Sequence, residues 1–134
     1  MLRAAFVEKS KSLLACVLLL TSLGGTELVH ARRPVPADNL AQVTVAELPL
    51  QGRQTYRLIQ QGGPFQYDKD GSVFGNRERL LPARQRGYYL EYTVKTPGSR
   101  NRGARRIVCG GQPKTPDACY YTGDHYASFS RIVE

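Results

Sequence analysis

The chain has 134 residues and carries 19 Lys and Arg against 11 Asp and Glu, a formal charge of +8. That length supports one domain with a modest core and excludes a multidomain machine. The basic excess points to polyanionic partners, whether nucleic acid, an anionic membrane surface or an acidic polysaccharide, without choosing among them.

In chain order, residues 1–31 read first as a secretory signal. Lys9 and Lys11 precede an apolar run from Leu13 to Leu20, and Val29-His30-Ala31 supplies a small-residue cleavage pattern before Arg32. The run is too short to cross a bilayer. Leu13-Leu14-Ala15-Cys16 looks superficially like a lipoprotein box, but its cysteine lies at the start of the apolar run rather than at its end. Cleavage takes three bases (Arg3, Lys9, Lys11) and two acids (Glu8, Glu27), leaving 16 basic and 9 acidic groups on 103 residues, a charge of +7. No later stretch is apolar enough to span a membrane, so the mature chain is expected to be extracellular and free of a membrane anchor.

Residues 32–41 read as an extended, poorly ordered lead-in to a domain over 42–134. Pro49 suits a helix start, Leu58 and Ile59 give an apolar side and Gly62-Gly63 suits a stop, which predicts a short helix over about Leu50 to Gln61, although Gly52 weakens it. From Gly62 onward, aromatic and β-branched runs alternate with Asp-Gly, Pro-Gly and Gly-Gly punctuation. That texture predicts a meandering antiparallel sheet, with strands at Ser72–Phe74, Tyr88–Lys95, Ala104–Cys109 and His125–Ile132. The expected fold class is α+β, one short helix packed on a twisted antiparallel β-sheet.

Period-two alternation in Tyr88–Lys95 puts Tyr88, Leu90, Tyr92 and Val94 on a core face and Glu91 in mid-strand on the opposite, polar face. Glu91 reads either as a solvated carboxylate balancing nearby bases or as a functional one. Arg100, Arg102, Arg105 and Arg106 fall within seven residues. They form a solvated loop or a phosphate site, for which the planar guanidinium fork is suited. Arg105 and Arg106 should face opposite ways. His125 is the one histidine left after cleavage and opens a predicted strand, an incidental position or a functional one. Asp68-Lys69-Asp70-Gly71 reads as a turn, because a calcium loop needs its glycine at the sixth position. In an oxidising compartment, Cys109 and Cys119 would close an eleven-residue loop with a bridge contributing roughly 2–3 kcal/mol. A zinc centre lacks both CxxC spacing and a second histidine, so no metal is expected.

The order of these signals carries more than any one of them. Gly63-Pro64-Phe65-Gln66-Tyr67, Asp70-Gly71-Ser72-Val73-Phe74-Gly75-Asn76-Arg77-Glu78 and Leu81-Pro82 come first. Gly87-Tyr88-Tyr89-Leu90-Glu91-Tyr92-Thr93-Val94, Thr96-Pro97-Gly98, Arg102-Gly103-Ala104-Arg105-Arg106-Ile107 and Tyr120-Tyr121-Thr122-Gly123-Asp124-His125-Tyr126 follow. Over residues 43–133 this series resembles the guanyl-specific microbial ribonucleases, the small secreted Streptomyces members more than barnase.

The resemblance implies the microbial ribonuclease fold, no cofactor and a likeness of roles residue by residue. Glu91 would be the general base toward a ribose 2′-hydroxyl and His125 the general acid toward the departing 5′-oxygen. Arg102 and Arg106 would stabilise the phosphate. Glu78, with the backbone of Gly75, Asn76 and Arg77, would read guanine, and Phe74 and Tyr126 would stack on the base, core packing being the other reading of Phe74. The implied partners are single-stranded RNA and an acidic barstar-like inhibitor, and the enzyme would act as a monomer. Two departures stand out. Gly75 replaces a larger polar residue of the relatives, and the relatives' disulfide joins the chain ends, where this chain has Thr44 and no second cysteine. The competing expectation is a non-catalytic cationic protein, nucleic-acid-binding or antimicrobial, that only grips polyanions.

Overall fold

In the computed structural model, which describes residue 33 and residues 36–134, one helix and six strands follow a short 3-10 turn at Ala37–Asn39. The expected signal segment, with Cys16 and His30, lies outside the described residues. Strand β1 spans Ala41–Thr44, helix α1 Leu50–Gln61, and β2 Ser72–Val73. Then come β3 at Tyr89–Thr93, β4 at Arg106–Gly111, β5 at Pro116–Thr122 and β6 at Ser130–Val133. The sheet order is β1-β6-β5-β4-β3-β2.

Helix α1 matches its predicted span for the expected reasons. Pro49 is the N-cap, with its φ already at −52°. Gly62 ends the helix in the left-handed region at φ +82°, where a side chain would be strained, and Gly63 closes the end by donating to the Leu58 carbonyl at 2.9 Å. Ile59, 1% exposed, enters the core, a burial contributing about 1.5–3 kcal/mol. The Thr55 hydroxyl donates to the Thr93 carbonyl at 3.2 Å, tying the helix to β3.

The sheet departs from the expected meander in three ways. Strands β2 to β6 pair antiparallel, but edge strand β1 pairs parallel with β6, which makes the sheet mixed. Strand β5 is not among the expected strands. Its Gly-Gly and Pro punctuation is instead a hairpin whose register shifts between Gly110 and Gly111. Gly110 has no side chain because the Tyr88 ring occupies the place of its Cβ, and Gly111 sits at φ +100° against Asp117. Finally, the predicted strand His125–Ile132 begins only at Ser130. Cys109 and Cys119 face each other across β4 and β5 and are joined by a disulfide, buried in the core under α1.

The face of β3 that carries Glu91 is not a simple polar surface. Leu48, Ile59, Tyr92, Val94, Ile107 and Ile132 form the core beneath α1. On the other face Leu81, Tyr89, Val108, Tyr120 and Phe129 form a second core, with Phe74 and Tyr126 packed at its margin. Both faces are therefore covered. Glu91 stands at the edge of an apolar cluster, and that places the site.

Candidate active site

The centre of the site is Glu91, opposite Val108 in the β3–β4 register. Its side chain is 13% exposed and is held from two sides. Arg102 Nη2 donates to Oε1 at 3.0 Å, and the Tyr126 hydroxyl donates to Oε2 at 2.7 Å. Arg102 is steadied in turn by Nε donating to Thr93 Oγ1 at 3.0 Å. Both partners of Glu91 are thus fixed from behind, the arrangement that preorganises a reacting group.

Arg106 lies deeper, 2% exposed at the start of β4. Its Nε donates to the Tyr126 hydroxyl at 3.1 Å, and its Nη1 donates to the carbonyls of Arg102, Gly103 and Arg105 at 3.3, 3.0 and 2.7 Å. Gly103 adopts φ +63°, and a Cβ there would collide with the Thr96 hydroxyl, so the loop closes on Arg106 only with glycine at this position. Among the described residues, Arg102 Nη1 and Arg106 Nη2 donate to no protein acceptor. Arg105 faces the other way, its charge acting on Tyr121, and Arg100 is exposed. Of the four clustered arginines, two belong to the site.

His125 does not open a strand. It is exposed, in a turn, with φ +54°, and Tyr126 follows at φ +70°. Two successive left-handed non-glycine residues cost roughly 1–2 kcal/mol each. The turn is over-determined by hydrogen bonds. The His125 N–H donates to the Ala104 carbonyl at 3.0 Å and the Tyr126 N–H to Thr122 Oγ1 at 3.1 Å. Asp124 accepts from the Ser128 hydroxyl at 2.6 Å, the Ser128 N–H at 2.9 Å and the Thr122 hydroxyl at 2.8 Å. Those donors, the Ser128 hydroxyl foremost, hold the Asp124 carboxyl below its usual value. Tyr126 and Phe129 enter the second core from this turn, and that is why the segment has the aromatic texture of a strand.

Burial first, and then the hydrogen bond to Glu91 and its charge, push the Tyr126 hydroxyl above its ordinary value. It therefore stays a donor to Glu91 through neutral pH. The resemblance implies only a stacking role for Tyr126. Its hydroxyl joins Arg106 to Glu91, and only the fold reveals a contact across 35 residues of chain.

Glu91, His125 and Tyr126 share one cleft of about 650 Å³ with Phe74, Gly75, Asn76, Arg77 and Glu78. The Phe74 and Tyr126 rings stack on each other, centroids 5.1 Å apart at 24°. The loop after β2 is clipped by the Asn76 side chain, which donates to the Leu81 carbonyl at 2.9 Å and accepts the Leu81 N–H at 3.1 Å. Leu81 is fully buried, so the clip anchors the loop in the second core. Among the described residues, the N–H groups of Gly75, Asn76, Arg77 and Glu78 have no protein acceptor. A row of free amides ending in a carboxylate can pair with a planar ligand that has acceptor and donor edges. Among the described residues there is no cluster of three or more metal-ligating side chains.

A family model described as ribonuclease matches residues 32–133. Guanyl-specific ribonuclease Sa3 of Kitasatospora aureofaciens is 56% identical over 93 residues, 69% of this chain and 64% of that protein, so less than two thirds of that relative's length is spanned. Guanyl-specific ribonuclease Sa of the same organism is 52% identical over 95 residues, 71% of this chain and 96% of the relative. Guanyl-specific ribonuclease St of Saccharopolyspora erythraea is 52% identical over 92 residues, 69% and 87% of the two chains. Among solved structures, ribonuclease Sa2 in complex with mononucleotides superposes with a TM-score of 0.66 at 47% identity, covering 71% of this chain and 95% of that one. A crystal structure of ribonuclease Sa2 with guanosine-2′-cyclophosphate gives a TM-score of 0.64 at 47% identity, covering 70% and 96%.

Proposed function

The chain belongs to the ribonuclease family, and we propose that it is a guanyl-specific endoribonuclease that cuts single-stranded RNA after guanosine through a 2′,3′-cyclic phosphate. The observation that carries this reading is the placement of Glu91, held by Arg102 and Tyr126, in one cleft with His125 and the free amides of Gly75 to Glu78.

Glu91 takes the proton from the ribose 2′-hydroxyl, whose oxygen attacks the adjacent phosphorus. His125 gives a proton to the departing 5′-oxygen, and the products are a cyclic phosphate and a free 5′-hydroxyl end. In the second step His125 activates water and Glu91 returns the proton, opening the ring to a 3′-phosphate. Arg102 and Arg106 hold Glu91 and Tyr126 from behind rather than lining the cleft, and in this reading their charge stabilises the non-bridging oxygens; preorganised charge of this kind is usually the largest catalytic term. Because the nucleophile is the 2′-hydroxyl, DNA is not cut.

Guanine lies with its N1–H and exocyclic amine on Glu78 and its O6 on the loop amides. Adenine lacks the N1–H and the O6 acceptor and would leave buried polar groups unpaired. Phe74 and Tyr126 stack on the base, a contact worth about 1–3 kcal/mol. The enzyme is secreted, with residues 1–31 as its signal, and an acidic barstar-like protein holds it in check by engaging the cationic site. Undiminished cleavage in the presence of such an inhibitor removes that partner from the account.

The roles are tested by Glu91→Gln and His125→Ala. Each is expected to lower kcat/KM by at least about a hundredfold with the melting temperature and circular dichroism of the folded chain retained. Full activity in either variant removes that residue from the mechanism. A purely cationic binder predicts equal, salt-sensitive binding of DNA and RNA and no cyclic phosphate.

A further inference from the structure

A second groove, of about 630 Å³, is lined by residues 73–77 of the guanine-reading loop and by residues 84–87. It shares the wall Val73–Arg77 with the catalytic cleft and continues along the turn Arg84–Gly87. Arg77, Arg84 and Arg86 line it, all three exposed. The turn is ordered by the Tyr88 N–H donating to the Gln85 carbonyl at 3.1 Å, with Gly87 at φ +89°. The Arg84 guanidinium lies over the Tyr88 ring, 5.0 Å from its centroid, which positions it along the groove. The one ion pair among the described residues is Arg102–Glu91, so none of the groove's three arginines lies within 4 Å of a carboxylate oxygen. Val73, 53% exposed, adds an apolar surface on the shared wall. Glu91, Arg102, Arg106 and His125 take no part in the groove's lining.

This inference rests on the guanyl-ribonuclease reading. We propose that the groove binds the RNA strand on the 5′ side of the scissile guanosine, with Arg84 and Arg86 on its phosphates and Val73 against a base or ribose. The direction follows from the cleft. With guanine on the loop and its 3′-phosphate at Glu91 and His125, the leaving nucleotide departs past His125. The 5′ strand leaves away from the catalytic groups, over the shared wall of residues 73–77 and into the groove. Guanidinium forks on an open, apolar-floored groove suit a phosphodiester chain better than a compact anion.

The test compares GpU, 5′-extended UpUpGpU and 3′-extended GpUpUpU as substrates of the full chain and of R84Q/R86Q. In the unsubstituted protein the 5′ extension is expected to raise kcat/KM about fivefold, the scale of two exposed charge contacts. In R84Q/R86Q that gain vanishes, GpU is cleaved as before, and the salt slope for UpUpGpU falls by about 1.4, two single-strand phosphate contacts. R84K/R86K retains part of the gain. A 5′ extension without effect in the unsubstituted chain, or a gain that survives in R84Q/R86Q, overturns the proposal. If GpU itself is not cleaved, the ribonuclease reading fails. Anisotropy of labelled UpUpGpU carrying a 2′-deoxyguanosine then still decides the groove, since binding about fivefold weaker in R84Q/R86Q supports it and equal binding overturns it.

Discussion

Replacing Tyr126 by Phe removes one oxygen and leaves the ring that stacks on Phe74 at 5.1 Å and packs against Phe129 at 6.4 Å. Two contacts go with it, the 2.7 Å donation to Glu91 Oε2 and the 3.1 Å donation received from Arg106 Nε. A hydrogen bond to a charged group contributes about 1.5–3 kcal/mol. Arg106 keeps its three carbonyl acceptors, and Glu91, at 13% exposure, admits some water in compensation, so the low end applies. We expect a loss of about 1.5 kcal/mol, which for a domain of about 100 residues is a fall in Tm of about 6–12 °C. The freed Glu91 oxygen also loses its orientation toward the substrate, and a loss of about 1.4 kcal/mol in transition-state stabilisation is about tenfold in kcat/KM. The assay pairs thermal unfolding with steady-state cleavage of GpU, using Tyr126→Leu as the control that removes the ring as well and should cost more in stability. A Phe variant that melts within about 2 °C of the unsubstituted chain and cleaves GpU at full rate would refute the view that this hydroxyl couples Arg106 to Glu91.

Other expectations are independent of that hydroxyl. The Asp124 carboxyl has a depressed folded pKa, so its contribution to stability is present above the ordinary carboxyl value near ~3.9 and is lost as pH falls through the folded value. Asp124→Asn should therefore flatten the decline of Tm with acid below about pH 4, and an unchanged acid limb contradicts the assignment. Tyr56, Tyr88, Tyr89, Tyr92, Tyr120, Tyr121 and Tyr126 are all raised above the usual phenol value, chiefly by burial. Their neutral forms stabilise the fold below the unfolded phenol value, and that contribution is lost as pH rises through the folded ones, so tyrosinate absorbance should appear late and together with unfolding. Replacing Cys109 and Cys119 by Ala should cost roughly 2–3 kcal/mol in denaturant titration, since the bridge closes only a hairpin. Gly103→Ala should displace the loop that closes on Arg106 and lower both Tm and kcat/KM, because the backbone there is left-handed and Thr96 fills the Cβ position.

Local chemistry made some elements legible and long-range contact hid others. Pro49 and Gly62 bounded α1 because their backbone preferences act at the helix ends themselves. The alternation in Tyr88–Lys95 placed Glu91 opposite the helix-side core, and the 105–106 alternation separated Arg105 from Arg106. The same alternation could not show that Leu81 and Phe129, from distant segments, cover the Glu91 face with a second core. Strand β5 stayed hidden because Gly110 and Gly111 read as breakers. Their roles, room for Tyr88 and a bulge, depend on residues elsewhere in the chain. The aromatic run after His125 mimicked a strand because its rings feed a core from a turn whose backbone Asp124 and Thr122 hold. Residue types left Glu91, the arginines and His125 open between solvated and functional roles, and the resemblance supplied the candidates; the tertiary hydrogen bonds among Arg106, Tyr126, Glu91 and Arg102 show how those side chains are held.

The most direct measurement of the central claim is the cleavage of GpU beside ApU by the full chain, with the products separated and identified. The account predicts guanosine 2′,3′-cyclic phosphate and uridine as first products from GpU, followed by the 3′-phosphate, with ApU slower by at least about a hundredfold. Equal rates on the two dinucleotides, or products with no cyclic phosphate, would contradict it.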